Sequence, residues 1–386
     1  MMAPTMQRTD DKNRMDLPTA MLLAQGIAWA PLLFQAARSL RNLGILARLL
    51  DSPRDGCTLS ELHQATEVSD YGLKVLLEAG MSLRMVERRP FRDEVVKGEV
   101  EPDSSSEPRY FATRVGYLIE KDELTRVNMN FSQDVCYRGA EFLEESIRQG
   151  EPAGLKELGN WPDIYHGLQA LNEPAKTSWF EFDHFYSDNG FPRVLKKILG
   201  AEPVRLLDVG GNTGKFAAQV LAADDEHRVT IADLPPQVQA SRQNLVPTCG
   251  SRSDFWELNI LDDASVLPTG HDIIWMSQLL CCFSEEEVVK IMKKARQAMN
   301  QTTRYYVFDT FWDCQNPVAQ LSLQACSLYF TAFANGKSRM YDRGTFLRLA
   351  ERAGLRLQSE EHQIGWGHSL LEFSLEGGSP DDGAQD

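Results

Sequence analysis

From Val204 to Phe373, short apolar runs alternate with helical patterns. The runs predict strands at 204–209, 228–232, 253–258, 271–277, 303–309 and 367–374. A helical pattern at Arg343–Ala353 precedes the last of them, Ser369-Leu370-Leu371-Glu372-Phe373. This β-α-β-α order predicts an α/β fold: a Rossmann-like, doubly wound sheet with one antiparallel edge. Residues 118–200 read as helical and rich in rings, among them Phe131, Trp161, Tyr165, Trp179, Phe182 and Tyr186. Gly190-Phe191-Pro192 breaks that pattern before Arg193 to Leu199.

The chain before residue 118 is patterned differently. The largely apolar stretch Ala20–Ala37 reads as two short helices broken at Pro31, and Ala37–Leu50 as one helix with Leu40, Leu43, Leu46 and Leu49 at helical spacing. Thr58, with Glu61 three residues on, makes a capping box for the next helix. Val68-Ser69-Asp70 caps a third at Tyr71–Ala79. Strand-like pieces at 85–88 and 110–113 flank a polar, acidic, Ser-rich insertion at 93–108. Three helices and a two-stranded wing predict a mostly helical winged-helix domain. The predicted organisation is a disordered start at 1–16, a winged-helix-like domain at 17–118, a helical linker at 119–200, an α/β domain at 201–376 and a disordered tail at 377–386.

Charge narrows what such a domain can bind. With 40 basic and 55 acidic residues the chain carries a formal charge of −15, which argues against a nucleic-acid surface. The third helix offers Lys74 alone, beside Asp70 and Glu78, where a DNA reader would need a basic face. Ala20–Ala37 barely reaches spanning length and is interrupted by Gln25, Gly26, Pro31 and Gln35, so it reads as buried against a partner subunit and not as a membrane segment. Seven cysteines lack metal-type pairing, and Cys281-Cys282 are adjacent, which suits no C-x-x-C site, so no metal centre is expected. Their odd number, with no signal-peptide pattern, predicts a reducing, cytoplasmic setting.

The densest chemistry lies at Val204-Arg-Leu-Leu-Asp-Val-Gly-Gly-Asn-Thr-Gly214. An apolar run carrying Asp208 enters a turn whose glycines, Gly210, Gly211 and Gly214, permit positive φ and close approach to a ligand. A helical pattern follows from Lys215 to Ala223. The spacing G-G-x-x-G misses the dinucleotide fingerprint, and no Gly-Lys-Ser/Thr closes a phosphate loop. The next predicted strand ends at Asp233-Leu234-Pro235. An acid there, about 20 residues past the glycine loop, is placed to accept hydrogen bonds from two ribose hydroxyls. Loop and acid together suggest a nucleoside ligand without a pyrophosphate.

Asp-Val-Gly-Gly-Asn-Thr-Gly followed by Ala-Asp-Leu-Pro resembles the class I S-adenosylmethionine (SAM) dependent small-molecule O-methyltransferases. The likeness is to the plant-phenolic and bacterial-polyketide type with an N-terminal winged-helix dimerisation domain, over roughly residues 20–375. The resemblance implies SAM as cofactor, a homodimer, and a small aromatic or conjugated hydroxyl compound from secondary metabolism as methyl acceptor. It also implies that residues 118–200 supply a lid and an apolar substrate pocket. For the cofactor it points to Asp208, Gly210, Gly211, Gly214 and Asp233, with Leu234 and Ile260 beside them. Asn259 stands where the family has an acid near the adenine. Met276 and Ser277 lie at the next strand tip, against the ribose or sulfonium. Tyr186 and Ser187 are candidates for the methionyl end.

The family usually carries a His general base in a segment that corresponds here to Ser277-Gln-Leu-Leu-Cys-Cys-Phe-Ser-Glu285; the His position is Cys281. A phenol with a pKa near 10 costs roughly 4 kcal/mol to ionise at neutral pH, so the base matters. Four residues stay open for that role. Cys281 itself reads first as a small residue shaping the pocket and only second as a base. His368 lies between glycine-flanked Trp366 and the last strand. His184 is in the aromatic region. Asp309 ends a strand where the family carries a Glu that orients its His. Loss of the usual His leaves room for a family member with other chemistry, such as C-methylation, hydroxylation or decarboxylation. It also leaves room for an inactive SAM-binding partner protein.

Overall fold

The computed structural model describes residues 15–89 and 107–375. The disordered segments predicted at 1–16 and 377–386 and the insertion at 93–108 lie wholly or mostly outside these. The chain divides into two compact units at Met129–Asn130.

In the first unit, helices span Leu17–Ala28, Ala30–Asn42, Ile45–Leu50, Leu59–Thr66 and Asp70–Ser82. Strands β1 (Val86–Arg89) and β2 (Arg109–Ala112) pair antiparallel, with Val86 opposite Ala112. Both predicted caps form: Thr58 and Glu61 make the reciprocal capping box, and Ser69 accepts from the Gly72 amide. Leu40, Leu46, Leu62, Leu73 and Leu77 make the core. Two boundaries differ from expectation. The first helix breaks at Trp29, and Pro31 sits in the first turn of the second helix, where its missing N–H is not needed. The single helix expected at 37–50 is interrupted at Leu43–Gly44, where Gly44 takes φ +74°. Helix Leu17–Ala28 buries none of its residues within this unit, leaving Met21, Leu22, Leu23 and Ile27 exposed. No single helix among the described residues is long and apolar enough to cross a membrane. The first two together pass by length and composition but bend by 76°.

The second unit is built on a seven-stranded sheet: β3 (Arg205–Val209), β4 (Arg228–Asp233), β5 (Ser253–Glu257), β6 (Ile273–Ser277), β7 (Arg304–Asp309), β8 (Leu355–Ile364) and β9 (His368–Leu375). Its order is β5-β4-β3-β6-β7-β9-β8. The first five strands are parallel; β9 runs antiparallel to both β7 and β8. The period of two sorts side chains into two cores. Leu206, Ile231, Trp275 and Phe308 pack on one face, and Leu207, Met276, Val307 and Leu371 on the other. The six predicted strands are all present. The antiparallel edge is β8, which no apolar run announced, and the last strand lies inside the sheet instead. Leu-Arg-Leu-Gln-Ser-Glu-Glu-His-Gln-Ile is polar because an edge strand half in water needs no continuous apolar run, and two register shifts blur its alternation.

Phe346, on the helix Arg343–Arg352, is 1% exposed and packs on Phe311 with ring centroids 4.8 Å apart. Phe346→Ala is expected to cost about 3–5 kcal/mol through lost burial and the cavity left behind. The urea unfolding midpoint checks it; a midpoint equal to wild type would place this ring outside the cooperative core.

Candidate active site

The glycine loop leaves β3 at Val209 and enters the helix Lys215–Ala223. Gly210 and Gly214 take φ +75° and +82°. A Cβ on Gly210 would lie 2.7 Å from the Leu279 side chain, and one on Gly211 would lie 2.8 Å from a carboxylate oxygen of Asp208. Space, as well as φ, requires glycine here. Asn212 takes φ +49°, and its amide donates to Asp233 Oδ2 at 2.9 Å. The Leu234 amide donates to Asp233 Oδ1 at 2.7 Å. Asp233 is thus held at the tip of β4 beside the loop.

These elements wall a cavity of about 290 Å³. On one side stand Asp208, Gly210, Gly211, Asp233, Leu234, Asn259, Ile260 and Ser277. Burial pushes the Asp233 carboxyl up to about 6. It pushes that of Asp208 up to about 8, with Asp233 adding like-charge repulsion. Three buried polar atoms of this wall have no hydrogen-bond partner: Asp208 Oδ2, Thr213 Oγ1 and Gln237 Oε1. Unpaired buried groups are costly, and Asp208 Oδ2 faces a glycine cradle that a Cβ would fill. Carboxylates for hydroxyls, a glycine turn for close approach, and Leu234 and Ile260 for a flat ring fit a nucleoside such as that of SAM.

On the other side the wall is aromatic and sulfur-rich. Phe131, Tyr165, Leu168, Trp179, Phe182, Cys281, Cys282, Cys326, Tyr329, Phe330 and Met340 line it. The Phe131 and Phe182 rings stack at 4.0 Å, and the Trp179 indole N–H donates to the Tyr329 hydroxyl at 2.8 Å.

Of the sequence candidates, Asp208, Gly210, Gly211, Asp233, Leu234, Asn259, Ile260, Ser277, Ser187, His184 and Cys281 line the cavity. Gly214 sits behind the loop, at the start of the helix Lys215–Ala223. The remaining four stand off the wall. Met276 is wholly buried in the opposite core, with its sulfur accepting from Tyr305 at 2.9 Å, because the pleat turns it away from Ser277. Tyr186 packs its ring on Phe182 and Phe185. His368 is wholly buried, stacked on Phe308 at 4.5 Å, and donates from Nε2 to Gln278 Oε1 at 3.0 Å. Burial lowers its pKa to about 3, so it is neutral and shielded from a substrate. Asp309 is buried and accepts from the Thr310 and Cys281 amides at 2.8 and 3.2 Å; it shapes the Cys281 turn. Cys281 reaches the cavity, but the neighbouring Cys282 thiol, burial and the Asp309 charge raise its pKa far above neutrality, so it keeps its proton.

Two wall residues escaped sequence reading. Asp183 lies on the helix Glu173–Asp188, within 3.4 Å of the Asn212 side-chain amide, and burial lifts its carboxyl to about 6. Its signal was helical spacing: Trp179, Asp183 and Ser187 share one face, but the rings drew attention away from the acid between them. Gln278 takes φ +49° at the tip of β6 and ties the site together, donating to the Asp183 carbonyl at 3.2 Å. No local pattern marks it.

Five parallel strands completed by an antiparallel pair, with a glycine loop after β3 and an acid at the tip of β4, define a class I methyltransferase fold. The comparisons agree. Residues 193–356 match the O-methyltransferase domain family and residues 21–91 the Dimerisation2-like domain family. In chain order, a Dimerisation2-like match is thus followed by an O-methyltransferase match. The chain is similar to an L-tyrosine C(3)-methyltransferase of Streptomyces lavendulae, 23% identical over 250 residues, which is 63% of this chain and 66% of that protein. It is also similar to a mitomycin biosynthesis 6-O-methyltransferase of the same organism, 28% identical over 152 residues, 39% of this chain and 42% of that protein. The chain thus spans two thirds or less of the length of these curated relatives. Among solved structures, the O-methyltransferase NcsB1 from neocarzinostatin biosynthesis, in complex with SAM and 2-hydroxy-5-methyl naphthoic acid, matches with a TM-score of 0.61 at 18% identity. The match covers 90% of this chain and 96% of that one.

The raised Asp208 predicts how the ligand-free protein responds to pH. Its ordinary value is 3.8 and its folded value about 8. Between these the native state holds a proton that the unfolded chain has released, so stability falls as pH rises from about 4 to 8. Asp208→Asn is expected to flatten that fall and to be relatively more stable at pH 8. Melting temperatures of both proteins at pH 5 and pH 8, without ligand, check it; parallel changes in the two would show that Asp208 is not the buried proton holder.

Proposed function

We propose that the protein is a homodimeric SAM-dependent methyltransferase that transfers a methyl group to a hydroxyl of an aromatic or conjugated small molecule. One observation carries this reading: a single cavity joins the glycine loop and its strand-tip acids to a wall of rings and thiols. When bound, SAM supplies a methyl group already activated on a sulfonium. The chain's own residues then have three tasks. Asp208, Asp233 and the glycine loop hold the nucleoside end. Phe131, Trp179, Phe182 and Tyr329 hold a flat acceptor and exclude water. A proton must leave the acceptor hydroxyl, and among the sequence candidates His184 is the one that both lines the cavity and stays able to accept it. Burial and the nearby Lys215 lower its pKa, so it is neutral at physiological pH. The exposed apolar residues of helix Leu17–Ala28, with Trp29 and Leu32, support a second copy as the partner of the first unit. The seven free cysteines support a reducing, cytoplasmic setting.

Transfer to a ring carbon is a second reading. It is favoured by the protonated Cys281 and by the name of the tyrosine C(3)-methyltransferase relative. The position of the new methyl group in the product, read by NMR, separates the two.

Calorimetric titration tests the cofactor. Wild type is expected to bind SAM and its demethylated product. Asp233→Ala is expected to bind each about 10²-fold more weakly or worse, because hydrogen bonds to a charged group are worth roughly 1.5–3 kcal/mol apiece. No binding by folded wild type would sink the methyltransferase reading. His184→Gln is expected to lower kcat by about 10²-fold or more with SAM affinity unchanged. A kcat within a factor of two of wild type, with a phenolic acceptor, would remove His184 as proton acceptor.

A further inference from the structure

The aromatic end of the cavity holds one polar group that nothing in the fold explains. The Tyr165 hydroxyl is buried, lies on the cavity wall and makes no hydrogen bond of good geometry; the one polar contact it has is the Cys282 thiol, a weak acceptor. Its near neighbours are the Cys282 thiol and the Tyr329 hydroxyl. The Tyr329 oxygen already accepts the Trp179 N–H, so the proton of Tyr329 is what it has left to offer. Burial raises the pKa of both phenols well above their ordinary value, so both stay protonated and act as donors. An orphan donor in an otherwise apolar wall marks the place where a ligand atom completes it.

We propose that Tyr165, seconded by Tyr329, is the recognition element for a carbonyl oxygen on the acceptor ring. The preferred substrates are then uncharged hydroxyaryl ketones, quinones or amides, in preference to aryl carboxylates or amino acids. This rests on the methyl-transfer reading above and adds the substrate class to it. Donors without a partner select a neutral atom with free lone pairs, which a carbonyl supplies. An ionised carboxylate needs a cation as well, and Lys215 is the single Lys or Arg among the described wall residues. Its ammonium is held by Asp188 at 2.9 Å, beside the glycine loop. The same cavity carries Asp183 and Asp233, which when ionised repel a further anion. Burying a carboxylate against neutral rings and thiols therefore goes uncompensated.

Three probes share one ring: naphthol, its ortho-acetyl derivative and its ortho-carboxylate. Their binding is measured by calorimetry on the full chain saturated with S-adenosylhomocysteine, in wild type and in Tyr165→Phe. Wild type is expected to bind the acetyl compound at least about 10-fold more tightly than the carboxylate. Tyr165→Phe is expected to weaken the acetyl compound by about 10-fold and naphthol by less than about 2-fold. The affinity of the variant for S-adenosylhomocysteine should be unchanged, and its ligand-free melting temperature should be no lower than wild type, since an unsatisfied hydroxyl has been removed. Equal losses for naphthol and the acetyl compound, a lowered melting temperature with no selective loss, a carboxylate bound as tightly as the ketone, or no binding of any ring would each overturn the proposal. Failure of wild type to bind S-adenosylhomocysteine would instead count against the methyl-transfer reading, which separates the two.

Discussion

Two carboxylates, buried Asp208 and half-buried Asp233, stand at the carboxyl ends of neighbouring strands, and much of the second unit is arranged around that arrangement. Parallel pairing sets Val209 beside Ala232, and the Gly210 amide donates to the Ala232 carbonyl at 2.9 Å. The loop therefore crosses directly over the tip of β4, where the Asn212 amide meets Asp233. Asp208 lies beneath Gly211 so closely that any side chain on the loop at that point would strike it. Burial raises both carboxyls, and repulsion from Asp233 adds to the rise at Asp208. The ligand-free site thus stores polar capacity that a nucleoside with hydroxyl groups and an adjacent cation can use. Glycine, positive φ and unsatisfied oxygen atoms are consequences of this one arrangement.

The aromatic half of the cavity obeys the opposite rule, with phenols and thiols in place of carboxylates. A single helix, Glu173–Asp188, serves both halves. Trp179 and Phe182 reach the rings of Tyr329 and Phe131, while Asp183 and Asp188 meet Asn212 and Lys215 of the loop and the helix that follows it. Gln278 fixes this helix to the strand tip. Its amide donates to the Asp183 carbonyl and its carbonyl accepts from His368, which has no other polar partner. The positive φ of Gln278 is a local strain at a site that needs its side chain pointed in two directions at once. His368, expected to face a substrate, instead orients Gln278, which lines the cavity.

What could be read in advance followed from local chemistry. Buried parallel strands such as Leu206–Val209 and Val229–Ala232 are apolar runs bounded by turns, and the glycine loop and Asp233 are near neighbours in sequence. These were legible. Strand β8 was not, because an edge strand that carries Glu360, Glu361 and His362 looks like a loop when read for apolar runs. His368 and Met276 were misplaced for a different reason. A strand end shows that a residue is near the sheet's rim but not which face its side chain takes, and here pairing with β7 and β8 decided it. Asp183 and Gln278 were invisible for a third: each matters through a tertiary neighbour far away in sequence.

Cys281 shows what happens to a methyltransferase scaffold when the usual base is replaced. The turn is kept. Asp309, whose counterpart orients a His in the resembling family, here accepts the Cys281 backbone amide at 3.2 Å, so it still fixes the loop although no imidazole is there to hold. The thiol cannot take over, since burial and its neighbours keep it protonated. The relative size of the catalytic terms makes the exchange tolerable. A positioned base typically contributes 10²–10⁴-fold, whereas aligning two reactants can correspond to effective molarities of about 10⁵–10⁸ M. The fold supplies alignment through the glycine loop, the strand-tip acids and the ring-lined wall, none of which depends on residue 281. On the proposed methyl-transfer reading, losing the base from that position removes the smaller contribution and leaves the larger one in place, and the demand for an easily lost proton falls on the acceptor and on the proposed role of His184.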